Sequence, residues 1–258
     1  MITLDQIKVF SKKYRINQTV IYREYLQLLW LSHFYKQKQS SEIYFKGGTA
    51  IHLIYNAPRF SEDLDFTSEV PQQDLDNLVN NTLKEVKRNI EIEIKERKVL
   101  AGKTYLLTAL PSILPFKTFV KLDFSFREKV IKPAKSTIET DYPILFTSYI
   151  HHLSKEEIFA EKVRAILSRK KGRDIYDLWY LLTIGTEPNT PLIKEKLAYY
   201  NLKFGKNVIN DLYKKISDFG SENFAKDLAP FVSEAERARL PELYEVIKDY
   251  LKRKFSII

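Results

Sequence analysis

Three aspartates and a glycine pair are the residues of this sequence that point most directly to chemistry. The stretch from Tyr44 to Phe66 reads Y-F-K-G-G-T-A-I-H-L-I-Y-N-A-P-R-F-S-E-D-L-D-F. In an extended chain residues i and i+2 share a face, so Asp63 and Asp65 are expected to point the same way. Two carboxylates side by side repel unless a cation lies between them, and Mg²⁺ is the usual one where phosphate is handled. Gly47-Gly48 with Thr49 opens an apolar helical run. Glycines there let backbone N–H groups and a helix N-terminus approach an anion such as phosphate. Leu122-Asp123-Phe124 repeats the apolar–acid–apolar pattern of Leu64-Asp65-Phe66 and supplies a third carboxylate. Taken singly, the glycines are as readily a tight turn, and each Asp a solvated or capping residue. Converging, they describe a phosphate cradle facing a metal-binding carboxylate set, which is half of a nucleotide-handling site.

Other polar residues are read in the same way. Lys162 is one helical turn from both Ile158 and Ile166, on an otherwise apolar face, where a lysine either snorkels to solvent or meets an anion. Asp174 and Asp177 are three apart and share a face with Leu178 and Leu181. Asp174 in a first turn also offsets the helix dipole, and Asp177 has Arg173 four residues before it as a pairing partner. Arg59 is placed to face an acceptor or the phosphates, and Ser61 reads as a turn residue. The histidines, His33, His52, His151 and His152, lack metal-ligand spacing, and the last two read as a linker pair. The absence of Cys excludes disulfides, thiol nucleophiles and Cys-ligated zinc.

The elements that must position these groups follow from periodicity and caps. Thr3 with Gln6 predicts a capped helix to about Tyr14, and Asn17 opens a longer helix to about Lys36, apolar nearly all round. Tyr44-Phe45 is a strand, Ala50 to Tyr55 a helix, and Asp63 to Phe66 a strand again. An amphipathic helix runs from Pro71 to about Asn89. Strands are expected at Ile90–Ile94, at Thr104–Leu107 after a turn at Ala101-Gly102-Lys103, and at Phe116–Phe124. Beyond a Ser154/Glu157 capping box the pattern turns all-helical, with Gly172 ending one helix and Arg173 starting the next. Further helices follow from about Pro191, the last from Pro241 to Lys254. The fold class is therefore α+β: a mixed sheet flanked by helices, then an all-α C-terminal region. The expected division is 1–40 as helices packing on the core, 41–150 as the core, and 151–258 as a helical domain.

Composition sets the outer bounds. With 258 residues, 44% of them hydrophobic and 29% charged, the chain is long enough for a sizeable core and is not disordered. A formal net charge of +9 makes nucleic acid or a phosphate-rich substrate plausible, although a Lys-rich composition alone gives the same number. The first residues lack the apolar core of a signal peptide, and no apolar run of about 18 residues suggests a membrane span. The expected location is the cytoplasm, with no membrane contact.

Five motifs occur in a telling order: K-G-G-T-A (Lys46–Ala50), P-R-F-S-E-D-L-D-F (Pro58–Phe66), K-L-D-F (Lys121–Phe124), A-E-K-V-R-A (Ala160–Ala165) and R-D-I-Y-D-L (Arg173–Leu178). Together they resemble the AbiEii/AbiGii-type nucleotidyltransferases, toxins of abortive-infection toxin–antitoxin systems within the DNA polymerase β-like superfamily. The resemblance spans roughly residues 20 to 180. It implies a minimal nucleotidyltransferase sheet and an enzyme that moves an NMP from an NTP to an acceptor hydroxyl. It assigns Asp63, Asp65 and Asp123 to two Mg²⁺ ions, Asp123 also to the attacking hydroxyl. Gly47, Gly48 and Thr49 go to the triphosphate, with Lys46 assisting. Lys162 goes to the triphosphate as well, and Asp174 and Asp177 form a later catalytic motif. Implied partners are an NTP, an RNA acceptor such as a tRNA 3′ end, and a cognate antitoxin. Alternatives are transfer to a protein or small molecule, and a non-catalytic module that binds NTP, RNA or antitoxin. A plain DNA-binding regulator leaves the three placed carboxylates unexplained.

Overall fold

The structure is a computed structural model that describes residues 1–97, 99, 102–205 and 207–255. The chain divides into two units, one made of Met1–Asn56 with Phe60–Leu153, the other of Ala57–Arg59 with the residues from Ser154 onward.

The first unit opens with α1 (Leu4–Tyr14), whose Thr3 and Gln6 cap each other reciprocally, Gln6 N–H donating to Thr3 Oγ1 at 3.2 Å and Thr3 N–H to Gln6 Oε1 at 2.9 Å. Next comes α2 (Gln18–Phe34), buried along nearly its whole length, with Tyr22, Tyr25, Leu28, Trp30 and Phe34 almost inaccessible. A 3-10 turn leads into β1 (Ile43–Lys46), α3 (Gly47–Tyr55) and β2 (Leu64–Ser68). The series continues with α4 (Gln72–Lys87), β3 (Ile92–Arg97), β4 (Lys103–Ala109), β5 (Thr118–Ser125), β6 (Pro133–Ser136) and β7 (Ile150–Leu153). Among the described residues these strands form one mixed sheet in the order β3-β4-β5-β2-β1-β7-β6. The predicted turn at Ala101 lies outside the described residues, while Gly102 and Lys103 lead into β4.

The register at the centre of the sheet comes from the repeated apolar–acid–apolar motif. β2 and β5 run parallel with Leu64 beside Leu122, Asp65 beside Asp123 and Phe66 beside Phe124. Phe66 and Phe124 stack with centroids 4.7 Å apart and planes 11° apart, and Phe34 of α2 lies 5.7 Å from the first and 6.1 Å from the second. Leu64, Leu122, Phe66 and Phe124 are fully buried. A slip of one residue by either strand would turn its own leucine and phenylalanine out of the core, so the apolar face keeps the two acids together on the other.

The second unit is helical: α5 (Lys155–Ser168), α6 (Gly172–Thr183), α7 (Thr190–Ala198), α8 (Val208–Ser217), α9 (Ser221–Leu228), α10 (Glu234–Arg237) and α11 (Leu240–Phe255). The predicted Ser154 cap is present, its hydroxyl accepting from Glu157 N–H at 3.3 Å. α5 packs on α6, α7 and α8, and α11 packs on α8 and α9. Lys196 of α7 is buried between Glu157 at 2.6 Å and Glu161 at 3.4 Å, pinning α7 to α5.

Two local readings are corrected. Gly172 starts α6 and does not end α5, which closes at Ser168. The Asp227 carboxylate accepts the Gly172 N–H at 2.8 Å, and a Cβ at Gly172 would crowd the Phe224 backbone at 3.1 Å. His151 and His152 are not a linker but β7, with His152 Nε2 2.9 Å from the Ser136 hydroxyl of β6. β7 is paired on both sides, by β1 and β6, and β6 is the edge strand, beginning with Pro133, which suits an edge.

Replacing Phe124 by Ala removes the ring that sets this register. The expected cost is about 3–5 kcal/mol, read as a fall in the urea midpoint at unchanged m-value; a loss under about 1 kcal/mol would contradict the register argument.

Candidate functional site

The carboxylate site is built at the junction of β1, α3, β2 and β5. Gly47 takes φ +76°, a conformation that L side chains avoid, and a Cβ there would run into the Asp65 carboxylate. No side chain caps the start of α3, because the residue in the N-cap position is Lys46. The first turn of α3 therefore begins directly against Asp65, with its N–H groups and the positive end of the helix dipole in the same place. Gly48 and Thr49 are buried. The Thr49 hydroxyl donates to the Asp63 carbonyl, tying the entry of β2 to α3.

Asp63 lies one residue ahead of β2, so the D-x-D pair straddles the end of the strand. Asp65 and Asp123 are neighbours in the parallel β2–β5 pair. Thr104, opposite Asp123 on β4, donates its hydroxyl to Asp123 Oδ1 at 2.9 Å and fixes that carboxylate. A cation joins the group: Lys121 Nζ is 3.2 Å from Asp63 Oδ2 and 3.4 Å from Asp123 Oδ2. Burial pulls the Lys121 pKa down, but Asp63, Asp65 and Asp123 together more than offset it and hold the ammonium above its usual range. Sequence reasoning passed over Lys121, although its place two residues before Asp123 on a strand was the signal that they share a face.

Lys46, expected to assist at the phosphates, has a carboxylate partner of its own in the structure. Its ammonium lies 2.5 Å from Glu128 Oε2, and both side chains are buried. Glu128 carried no signal in the sequence, because the pairing spans more than eighty positions of chain.

The later motifs assemble within the helical unit. Lys162 of α5 does not snorkel: its ammonium is buried 2.9 Å from Asp174 Oδ1 and 2.7 Å from Asp177 Oδ2 of α6. Asp177 does not pair with Arg173 four residues before it. It takes a bidentate pair from Arg59, Nε to Oδ1 at 2.6 Å and Nη2 to Oδ2 at 2.5 Å, with both residues almost inaccessible. Arg173 instead lies over the Phe231 ring, 4.6 Å from its centroid. Asp174 also accepts from Arg169, Nε to Oδ2 at 2.8 Å. Burial pushes the Asp174 pKa up, yet Lys162 and Arg169 outweigh it and hold the carboxyl far below the usual range. For Lys162 burial acts downward and Asp174 and Asp177 reverse it, so the ammonium stays charged.

The donor chemistry of the carboxylate site suits a hard divalent cation: carboxylate oxygens from adjacent strands, with Asp123 oriented by a neighbouring hydroxyl. Among the described residues no three ligating side chains are gathered into a ready-made metal cluster. No helix among them is long and apolar enough to cross a membrane.

Placed beside known proteins, this arrangement has a clear affiliation. The chain belongs to the AbiEii nucleotidyl transferase toxin family of type IV toxin–antitoxin systems, whose family model matches residues 30–253. It is thus a nucleotidyltransferase. Two solved structures share its fold. JHP933 from Helicobacter pylori aligns with a TM-score of 0.56 at 19% identity, covering 93% of this chain and 96% of that one. The nucleotidyltransferase toxin MenT4 from Mycobacterium tuberculosis aligns with a TM-score of 0.58 at 16% identity, covering 99% and 94%. A search of curated protein sequences returned no match.

Three outcomes follow from the geometry. Gly47→Ala is expected to cost about 1–3 kcal/mol through its positive φ; a thermal midpoint equal to that of the unaltered chain would refute this. Asp177→Ala leaves Arg59 and Lys162 without their buried counter-ion and is expected to cost about 3–5 kcal/mol in chemical denaturation. Asp174 adds a pH dependence. Its folded pKa is depressed, so its contribution is present above the unfolded value of about 4 and is lost as pH falls below it. Asp174→Asn should therefore flatten the stability–pH curve below about pH 4; an unchanged slope there would count against the assignment.

Proposed function

We propose that this nucleotidyltransferase moves an NMP from an NTP to the 3′ hydroxyl of an RNA, a tRNA in particular, and releases pyrophosphate. The observation that carries the reading is the placement of Asp65 and Asp123 side by side at the uncapped start of α3. In the reaction the acceptor oxygen forms a bond to the α-phosphorus, the bond from that phosphorus to the bridging oxygen of the β-phosphate breaks, and pyrophosphate leaves. The N–H groups of Gly47, Gly48 and Thr49 suit the phosphates. Asp123, whose Oδ1 accepts from Thr104, would take the proton that the acceptor hydroxyl gives up as it attacks. Asp63, Asp65 and Asp123 would hold Mg²⁺, two ions in the full site, which supplies charge stabilisation at the attacking and leaving oxygens.

The RNA acceptor is supported by a groove of about 530 Å³ in the helical unit. Arg169, Lys170, Lys171, Lys203, Lys214 and Lys215 line it, against the two carboxylates Asp211 and Asp218. Such a strip suits a phosphate backbone and makes binding salt-dependent. Membership of a toxin–antitoxin family brings a cognate antitoxin as a further partner. For Lys162, Asp174 and Asp177, buried together in the helical unit, triphosphate and catalytic roles are what the resemblance implies. A purely structural role for Lys162 would show as a lowered melting temperature in Lys162→Met with NTP affinity unchanged.

The test is incubation of the protein with total RNA, Mg²⁺ and each α-³²P-labelled NTP. Label is expected in a discrete RNA band, reduced about 100-fold or more in Asp65→Ala and Asp123→Ala, in line with the several kcal/mol that metal-held charge stabilisation contributes. Labelled protein or small molecule with unlabelled RNA would move the acceptor, and no transfer with intact NTP binding would favour a binding module.

A further inference from the structure

We propose that Lys121 is a built-in counter-ion that holds the three aspartates of the site together and that a divalent cation must displace. The inference rests on the metal-dependent reading above and deepens it. Lys121 and Asp123 are two residues apart on β5, so their side chains leave the same face of the sheet. The ammonium reaches Asp63 across the β2–β5 boundary at 3.2 Å and its own strand neighbour Asp123 at 3.4 Å. Asp65, the neighbour of Asp123 in the ladder, adds its field to the same nitrogen. The ammonium therefore sits between the Asp63 and Asp123 carboxylates, where a cation bound by both would compete with it.

Several physical consequences follow. Carboxylates on one face without a cation would repel, and the ammonium relieves that repulsion by bridging Asp63 and Asp123. The arrangement is exchangeable and not locked. Lys121, Asp63 and Asp123 are each more than a third exposed, unlike the buried Lys162–Asp174–Asp177 group. A long, flexible ammonium gives only point-charge contacts, with no fixed coordination geometry to break. Once displaced, its four-carbon stem keeps the charge within reach of the same face of β5, next to where a phosphate anion would lie. Lys121 is thus a positioning residue that lowers apparent metal affinity in the empty site and is released when the metal arrives.

The experiment is direct metal binding, measured without NTP. Mn²⁺ is titrated into the full chain and free Mn²⁺ is followed by electron paramagnetic resonance, for the unaltered protein, Lys121→Met and Lys121→Arg, with Asp65→Asn as the site control. Lys121→Met should bind about tenfold more tightly, since one competing charge has been removed. Lys121→Arg, which keeps the charge, should stay close to the unaltered protein. Circular dichroism shows whether each variant folds, and Lys121→Gln replaces the methionine variant if that one does not. Equal or weaker Mn²⁺ binding by the neutral variants, with binding still abolished in Asp65→Asn, would overturn the counter-ion role and leave the metal reading intact. Failure of every protein to bind Mn²⁺ would overturn both.

Discussion

The stacked pair Phe66 and Phe124, backed by Phe34, is the contact on which the rest of the site depends. These rings and the two leucines beside them lie in the core, which excludes a one-residue slip, and the Phe66–Phe124 stack favours the register observed. That register places Asp65 beside Asp123. Two acids brought together from positions almost sixty residues apart would drift apart if charge alone decided. Hydrophobic burial on one face of the sheet offsets the repulsion on the other. The same face then recruits Thr104 from β4 and Lys121 from β5, each fixed by the ladder that holds its strand.

The two groups of charges in this chain follow opposite electrostatic rules. The carboxylate site is partly exposed, and Lys121 makes long contacts there of 3.2 and 3.4 Å. The Arg59–Asp177–Lys162–Asp174 group is almost wholly buried, with contacts of 2.5 to 2.9 Å. Where water is present, a cation can be exchanged for another at modest cost. Where water is excluded, removing one partner strands the other, so such a group behaves as a fixed joint between α5, α6 and the Ala57–Arg59 segment. The short Ala57–Arg59 segment belongs to the helical unit, where Arg59 meets Asp177.

Family membership and fold carry different weights. The solved relatives share the architecture at identities below 20%, which speaks for the sheet and helix arrangement. The chemistry rests on side chains of this chain: an uncapped helix start at a glycine with positive φ, and aspartates aligned by a ladder.

Much of this was legible before any coordinates. The alternation in Leu64-Asp65-Phe66 and Leu122-Asp123-Phe124, the capping pairs Thr3/Gln6 and Ser154/Glu157, and the glycine pair all express local rules, because strand faces and helix caps depend on neighbours within a few residues. The fold class and the three aspartates followed from them. Partners distant in sequence did not. Lys46 found Glu128, Asp177 chose Arg59 over nearby Arg173, and His151-His152 became a strand by pairing with β6 and β1. A local pattern says which face a charge occupies and leaves open which opposite charge lies across from it. That choice is made by topology, since only the assembled sheet and helices decide which distant groups lose their water together and must neutralise one another.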